Sequence, residues 1–245
     1  MSFIEKICNK YKRMIRIREI KRFLKVEQEE RIERLGNEYG GFGVASDFLD
    51  QTKEQDELIV FSLGIGEDLS FDEEVIRKWQ AKVYAYDPTP KAIEYVKNHP
   101  LSKNELFSFD GCGVSAKDKD EEIFYLPRNP ENVSGSLVIH DEVDKCSAIK
   151  VKMRTIDTLM EHKGIDRIDI LKMDIEGSEF EVLEGFKNIK KCGQICFETH
   201  DRFYADGMEK LKKLVDHLTS NGFSLVYVDG KYLDLTFINS AFKRI

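Results

Sequence analysis

The sequence predicts an open α/β sheet, mostly parallel, with helices on both faces and an antiparallel last strand. Three observations carry that expectation. From about residue 57 onward, short apolar runs alternate with amphipathic helical stretches, the order of a parallel sheet built from crossovers. The segment IDILKMDIEGSEFEVLEG, Ile168 to Gly185, passes from a buried-strand pattern into a helical one across Glu176-Gly177-Ser178. Near the carboxyl end, Asp229-Gly230 separates two apolar runs, a strong tight-hairpin signal that reverses the final strand.

Each element follows in order. Residues 3–35 read as one basic helix, since Ile4, Ile7, Tyr11 and Met14 or Ile15 recur at helical spacing with Lys and Arg between them. Tyr39-Gly40-Gly41-Phe42-Gly43 breaks it as a flexible aromatic loop. That break separates an N-terminal helical extension, residues 1–50, from a main domain, residues 51–245. Residues 58–63 form the first strand and Gly64-Ile65-Gly66 its turn. Ser70-Phe71-Asp72-Glu73 fits a capping box opening a helix that runs to Trp79. Residues 82–86 are the second strand, followed by a helix to Asn98 that Pro100 closes. Residues 106–109 are the third. Residues 112–150 are less regular, with short strands at 122–126 and 148–153 and a polar loop between them. A helix at 155–162, the strand around Ile170, a fifth strand at 194–198 and an amphipathic helix at 207–220 follow. Strands at 224–228 and 232–238 close the chain.

Composition narrows the function classes. The apolar share is 41% and the net charge −7, so nucleic acid is not an expected partner. Charge is uneven: residues 1–25 hold nine Lys/Arg and two Glu, a balance of +7 that leaves −14 for the rest of a chain totalling −7. The basic helix is expected to pack on the domain or on a second subunit. Its other reading is peripheral contact with an anionic membrane. Five scattered cysteines without a C-x-x-C pair argue against zinc, and with no signal-peptide pattern they predict a cytoplasmic protein. His99, His140, His162 and His217 read as incidental.

In an open α/β sheet, ligands bind at the carboxyl edge of the strands. Gly64 and Gly66 let backbone approach a ligand closely at the first strand tip. The dinucleotide fingerprint needs a third small residue where this chain has Leu69, so NAD is disfavoured. Asp87 and Pro88 stand at the second tip, where a carboxylate can accept both hydroxyls of an adenosine ribose or start the Asp-Pro-Thr-Pro turn. Asp110 and Gly111 stand at the third, where Asp110 can receive an adenine amino group. Asp174 and Glu176 end the fourth strand. Ser178 precedes the next helix, and Glu179 and Glu181 favour its dipole.

Lys172-Met173-Asp174-Ile175-Glu176-Gly177-Ser178-Glu179, with Leu183 and Gly185 behind it, resembles the signature of the FkbM family of methyltransferases. Tyr86-Asp87-Pro88-Thr89-Pro90, Thr155-Ile156-Asp157-Thr158-Leu159 and Glu198-Thr199-His200 are similar to further family motifs, so the resemblance runs over residues 57–240. It implies a Rossmann-like methyltransferase sheet and S-adenosylmethionine as cofactor. The implied reaction is methyl transfer to an oxygen, often a hydroxyl of a sugar or a secondary metabolite. His200 is then the expected general base, while Asp174 orients the acceptor and Glu198 stands beside them. The three could also hold a divalent ion, although none is expected. The chain departs from the family in the first loop, with Ser62 and Asp68 where members carry Asp and Gly. Glu67 or Asp68 is expected to take over the α-amino group. Acceptor specificity is expected from residues 112–150 and the N-terminal segment. Two other readings stand beside this one: a non-catalytic Rossmann-like binding module, and a methyltransferase acting on nitrogen or protein.

Overall fold

Side-chain alternation decides the sheet. In the computed structural model, which describes residues 3–26, 30–51, 57–229 and 233–242, strand β3 (Ile59–Leu63) turns Val60 to one core and Phe61 and Leu63 to the other. β9 (Ile168–Met173) and β10 (Cys192–Glu198) repeat the pattern. Ile170 and Cys196 lie on the first side, and Leu171, Met173, Ile195 and Phe197 on the second. Strands buried on both faces read as near-continuous apolar runs, as parallel strands under two covering layers do.

The sheet is completed by β4 (Lys82–Tyr86), β5 (Phe107–Asp110), β11 (Phe223–Val228) and β12 (Asp234–Asn239). Its order is β11-β12-β10-β9-β3-β4-β5. The pairs from β10 to β5 are parallel, while β12 runs antiparallel to both β10 and β11. The expected terminal hairpin closes where the Asp229 amide donates to the Asp234 carbonyl at 2.8 Å. Its last strand is described over Asp234–Asn239, and Gly230 and Tyr232 of the expected hairpin lie outside the described residues.

Both faces are covered. One core takes in α1 (Phe3–Phe23), α5 (Ile156–Lys163), α6 (Glu179–Gly185) and α7 (Gly207–Ser220). The other takes in α2 (Ser46–Gln51), α3 (Ser70–Trp79) and α4 (Pro90–Asn98).

The N-terminal segment departs from its expected form. Instead of a helix to residue 35, α1 ends at Phe23, and β1 (Ile32–Leu35) pairs antiparallel with β2 (Phe42–Ala45). The expected aromatic loop at residues 39–43 is the turn of this hairpin plus the start of β2. Its reason lies far away in sequence. Phe42, Val44 and Ala45 join the core of Val60, the Ala45 amide donates to Gln194 Oε1 at 2.6 Å, and Thr236 Oγ1 donates to the Gly43 carbonyl at 2.6 Å. A reading limited to neighbouring residues cannot see those partners.

Capping differs as well. Ser70 lies inside α3, where its hydroxyl accepts from the Asn37 amide and Asp68 Oδ1 accepts from the Ser70 amide, so the expected capping box is not formed. Thr89 and Thr155 cap α4 and α5 with their hydroxyls. Residues 113–154 build a second sheet, in the order β6-β8-β7, from β6 (Gly113–Val114), β7 (Lys119–Pro127) and β8 (Val143–Arg154). Its two main strands are longer than their sequence suggested, because each shows only one face to a core and alternates polar residues on the other.

Candidate active site

The site begins at the turn after β3. Gly64 has φ +78, and a Cβ there would stand 1.7 Å from the Asp174 carbonyl oxygen. Only a residue without a side chain lets these strand ends approach so closely. Lys172, nearly buried, donates from Nζ to the Gly64 carbonyl and fastens the turn from the neighbouring strand.

Asp87 fastens it from the other side. Its Oδ2 accepts from the Ile65 and Gly66 amides at 2.8 and 2.9 Å, and its Oδ1 from the Thr89 amide and hydroxyl at 2.8 and 2.7 Å. The carboxylate expected on a ribose thus spends both oxygens on the loop and on the turn at Pro88, although it lines the same cavity.

The β9 end carries the signature segment. Glu176 is held in the left-handed region, at φ +51, a strained conformation that persists where surrounding structure over-determines it. The determinant is Glu179. Ser178 makes no side-chain cap, and fully buried Glu179 does the fastening expected of it. Glu179 accepts from the Ile175 and Gly177 amides at 3.0 Å each, and its Oε1 lies 2.8 Å from His200 Nδ1.

His200 therefore sits among carboxylates. Its Nε2 lies 3.3 Å from Glu176, 3.7 Å from Asp174 and 3.7 Å from Glu198. Arg202 approaches Glu198 at 3.2 Å. Four carboxylates face two cations, and the balance is negative. Burial alone would lower the His200 pKa, but Glu179, Glu176 and Glu198 outweigh it and hold it up to about 10. Burial, with Asp174 adding to it, pushes Glu198 up to about 8, and burial raises Glu176 as well. The ligand atoms of Asp174, Glu198 and His200 lie within 4.8 Å of one another, a spacing that admits a metal ion.

These groups open onto a cavity of about 1000 Å³ at the carboxyl edge of the sheet, at the upper end of small-molecule sites. Gly64, Gly66, Asp68, Asp87 and Pro88 line it on the β3–β4 side, and Asp174, Glu198 and His200 on the β9–β10 side. Glu67, Asp110 and Gly111 do not line it. Glu67 and Asp110 are exposed, and Gly113 and Val114 stand at the wall where Asp110 was expected. Asp68 is engaged, accepting from the Asn37 side-chain amide and the Ser70 amide.

Two wall residues escaped the sequence. Arg16 and Ile17 come from α1, and Arg16 is fixed by a two-point ion pair with Asp201. Tyr39 contributes from the hairpin turn. Val133, Ser134 and Leu137 come from the polar loop between β7 and β8, where acceptor specificity was expected. His140, read as incidental, stacks on Phe203 with ring centres 3.5 Å apart, and Phe203 lies against His200. Glu179 and His200 were each visible in sequence, but nothing signalled that they pair across 21 positions.

Residues 61–225 match the model of the methyltransferase FkbM domain. The chain is 28% identical to methyltransferase sdnD of Sordaria araneosa, over 43% of this chain and 51% of that protein. It is 27% identical to 2-O-methyltransferase NoeI of Sinorhizobium fredii, over 60% of this chain and 64% of that protein. The match thus spans about half to two thirds of each relative's length. Among solved structures, the fibrillarin pre-rRNA processing protein of Methanococcus jannaschii overlaps at a TM-score of 0.43 with 14% identity, covering 88% of this chain and 84% of that one. A human methyltransferase 10 domain containing protein overlaps at 0.46 with 9% identity, over 81% and 80%. Overlaps this loose say nothing about activity.

Proposed function

The chain belongs to the methyltransferase FkbM domain family, and from that premise we propose that it is an S-adenosylmethionine-dependent O-methyltransferase acting on a hydroxyl of a sugar, glycan or secondary metabolite. The observation that supports this best is the convergence of Asp174, Glu198 and His200 on one cavity beside the Gly64 turn. The cavity suits the cofactor. Gly64 and Gly66 bare the backbone along one wall, and the excess of carboxylates favours a sulfonium and an ammonium group over a phosphate. Gly64, Gly66, Asp68, Asp87 and Pro88 would hold it. The relative named a 2-O-methyltransferase supports oxygen as the acceptor atom. The same negative charge favours a neutral hydroxyl compound over an anionic one.

When bound, S-adenosylmethionine would supply an electrophilic methyl group, its sulfonium sulfur keeping the bond electrons and leaving as a neutral thioether. The chain's residues position the acceptor oxygen and take its proton. His200, the base expected from sequence, is an imidazolium near neutrality and has no free acceptor nitrogen. The proton falls to Glu198, whose raised pKa lies close to working pH, where a general base is most effective. His200 then serves as the fixed cation against which Glu198, Glu176 and Asp174 are arranged. Asp174 turns its buried Oδ1 toward His200 Nε2 at 3.7 Å, and its side chain, one third exposed, lines the cavity where an incoming hydroxyl would be oriented.

Calorimetric titration with S-adenosylmethionine and S-adenosylhomocysteine, with NAD as control, tests the reading. Saturable binding of both sulfur ligands and none of NAD is expected. Asp87→Ala frees the Gly64–Gly66 turn and should weaken binding by roughly tenfold or more, the loss of about 1.4 kcal/mol. A folded wild type that binds neither sulfur ligand would leave the binding-module reading in its place.

A further inference from the structure

Helix α1 has two faces with different fates. Ile17, Ile20, Phe23 and Leu24 turn inward and pack on the domain, while Arg16 is anchored to Asp201 and to the Thr199 carbonyl. This face meets the packing expectation. The outer face carries Tyr11, Met14 and Ile15 at 65%, 60% and 43% exposure, with Val26 at 50% just beyond the helix. At 3.6 residues per turn, positions 11, 14, 15, 18 and 22 share the arc opposite Ile20. Arg18, Lys21 and Arg22 are exposed on or beside that arc and Lys25 is exposed just beyond the helix, with Glu19 as the one acidic residue among them. Of the eight large apolar side chains exposed among the described residues, four lie on or just after this helix and a fifth is Tyr39, at the cavity wall.

We propose that α1 docks the protein onto a bilayer surface bearing anionic headgroups. Tyr11, Met14 and Ile15 enter the headgroup layer, and Arg18, Lys21, Arg22 and Lys25 meet the acidic lipids. Apolar and cationic side chains mixed along one arc suit a surface that is both oily and negative. The charge distribution sets the orientation, because residues 1–25 carry +7 and the remainder −14, so only this end is attracted. A second copy is a poorer fit: a few side chains on one helix are a small patch beside the roughly 800 Å² per partner that stable dimers bury. Because α1 also supplies Arg16 and Ile17 to the cavity wall, docking holds the cavity close to the lipid surface, where a lipid-borne acceptor would be presented. The docking itself rests on α1 and not on the reaction assigned to the cavity.

Co-sedimentation of the full chain with phosphatidylcholine vesicles, with and without phosphatidylserine, tests this. Wild type should pellet at least tenfold more with the anionic vesicles, and the excess should vanish at high salt. The triple variant Tyr11→Ser, Met14→Ser, Ile15→Ser and the double variant Arg18→Glu, Arg22→Glu should each lose at least fivefold, with unchanged melting temperature and cofactor titration. If a variant melts early, the salt series on wild type decides. Wild type left in solution with both vesicles, or a triple variant that pellets like wild type, overturns the proposal. So does a dimer by light scattering that the triple variant dissolves while wild type ignores lipid.

Discussion

Glu198 and His200 show how a residue's role depends on company that is distant in sequence. A histidine at a strand tip suggests a base, because its ordinary pKa lies near neutrality. Here Glu179, 2.8 Å from the ring, and Glu176 beside it keep it charged. Glu198 itself is lifted to about 8 by burial and by Asp174. The sign follows directly: below about pH 8 Glu198 is protonated and cannot accept the hydroxyl proton, and above it the carboxylate is free. Turnover at saturating substrates should rise through about pH 8. Glu198→Gln should lower kcat by about 10²–10⁴-fold, the usual worth of a positioned base, and flatten that limb while cofactor affinity persists. A Gln variant retaining both rate and limb would assign the proton to another group. The Glu-x-His pair was legible from sequence; the ring of carboxylates that fixes its charge was not, because Glu176 and Glu179 reach it only through the fold.

At the scale of elements, the turn after β3 is the best test of local necessity. Gly64 combines a positive φ with a backbone carbonyl where a Cβ would stand. Gly164, the C-cap of α5, has φ +64 with nothing within 4 Å. Gly164→Ala should cost only the left-handed penalty, about 1–2 kcal/mol. Gly64→Ala should cost more and also abolish cofactor binding, because the clash must move either the turn or the Asp174 strand end. Thermal melts of both variants with parallel calorimetry measure this, and equal losses with retained binding would count against the site. The glycine was readable from sequence, since G-x-G follows an apolar run. What it avoids was not, because the obstructing oxygen belongs to a strand 110 residues later. The β1–β2 hairpin shows the same limit: its four-residue strands are too short for periodicity to signal, and they persist through Gln194 and Thr236.

Across the whole molecule, two cores share the faces of one sheet, and β2 is hydrogen-bonded to side chains of β10 and β12. The layers cannot melt separately without breaking those strands. Thermal unfolding should therefore appear as one transition, coincident in near- and far-ultraviolet circular dichroism. An early near-ultraviolet step would mean that the N-terminal hairpin unfolds alone. Apolar periodicity by itself determined the sheet, the order of its helices and the carboxyl edge where ligands gather, since those depend on which neighbours in sequence are buried. The signature motif marked Asp174, and the Glu-x-His motif marked Glu198 and His200. Tertiary structure alone decided that Asp87 braces a loop, that Asp110 stands outside the cavity, that α1 walls it and that His200 is charged. Burial and charge are properties of the space around a residue, and residues far apart in the chain make that space.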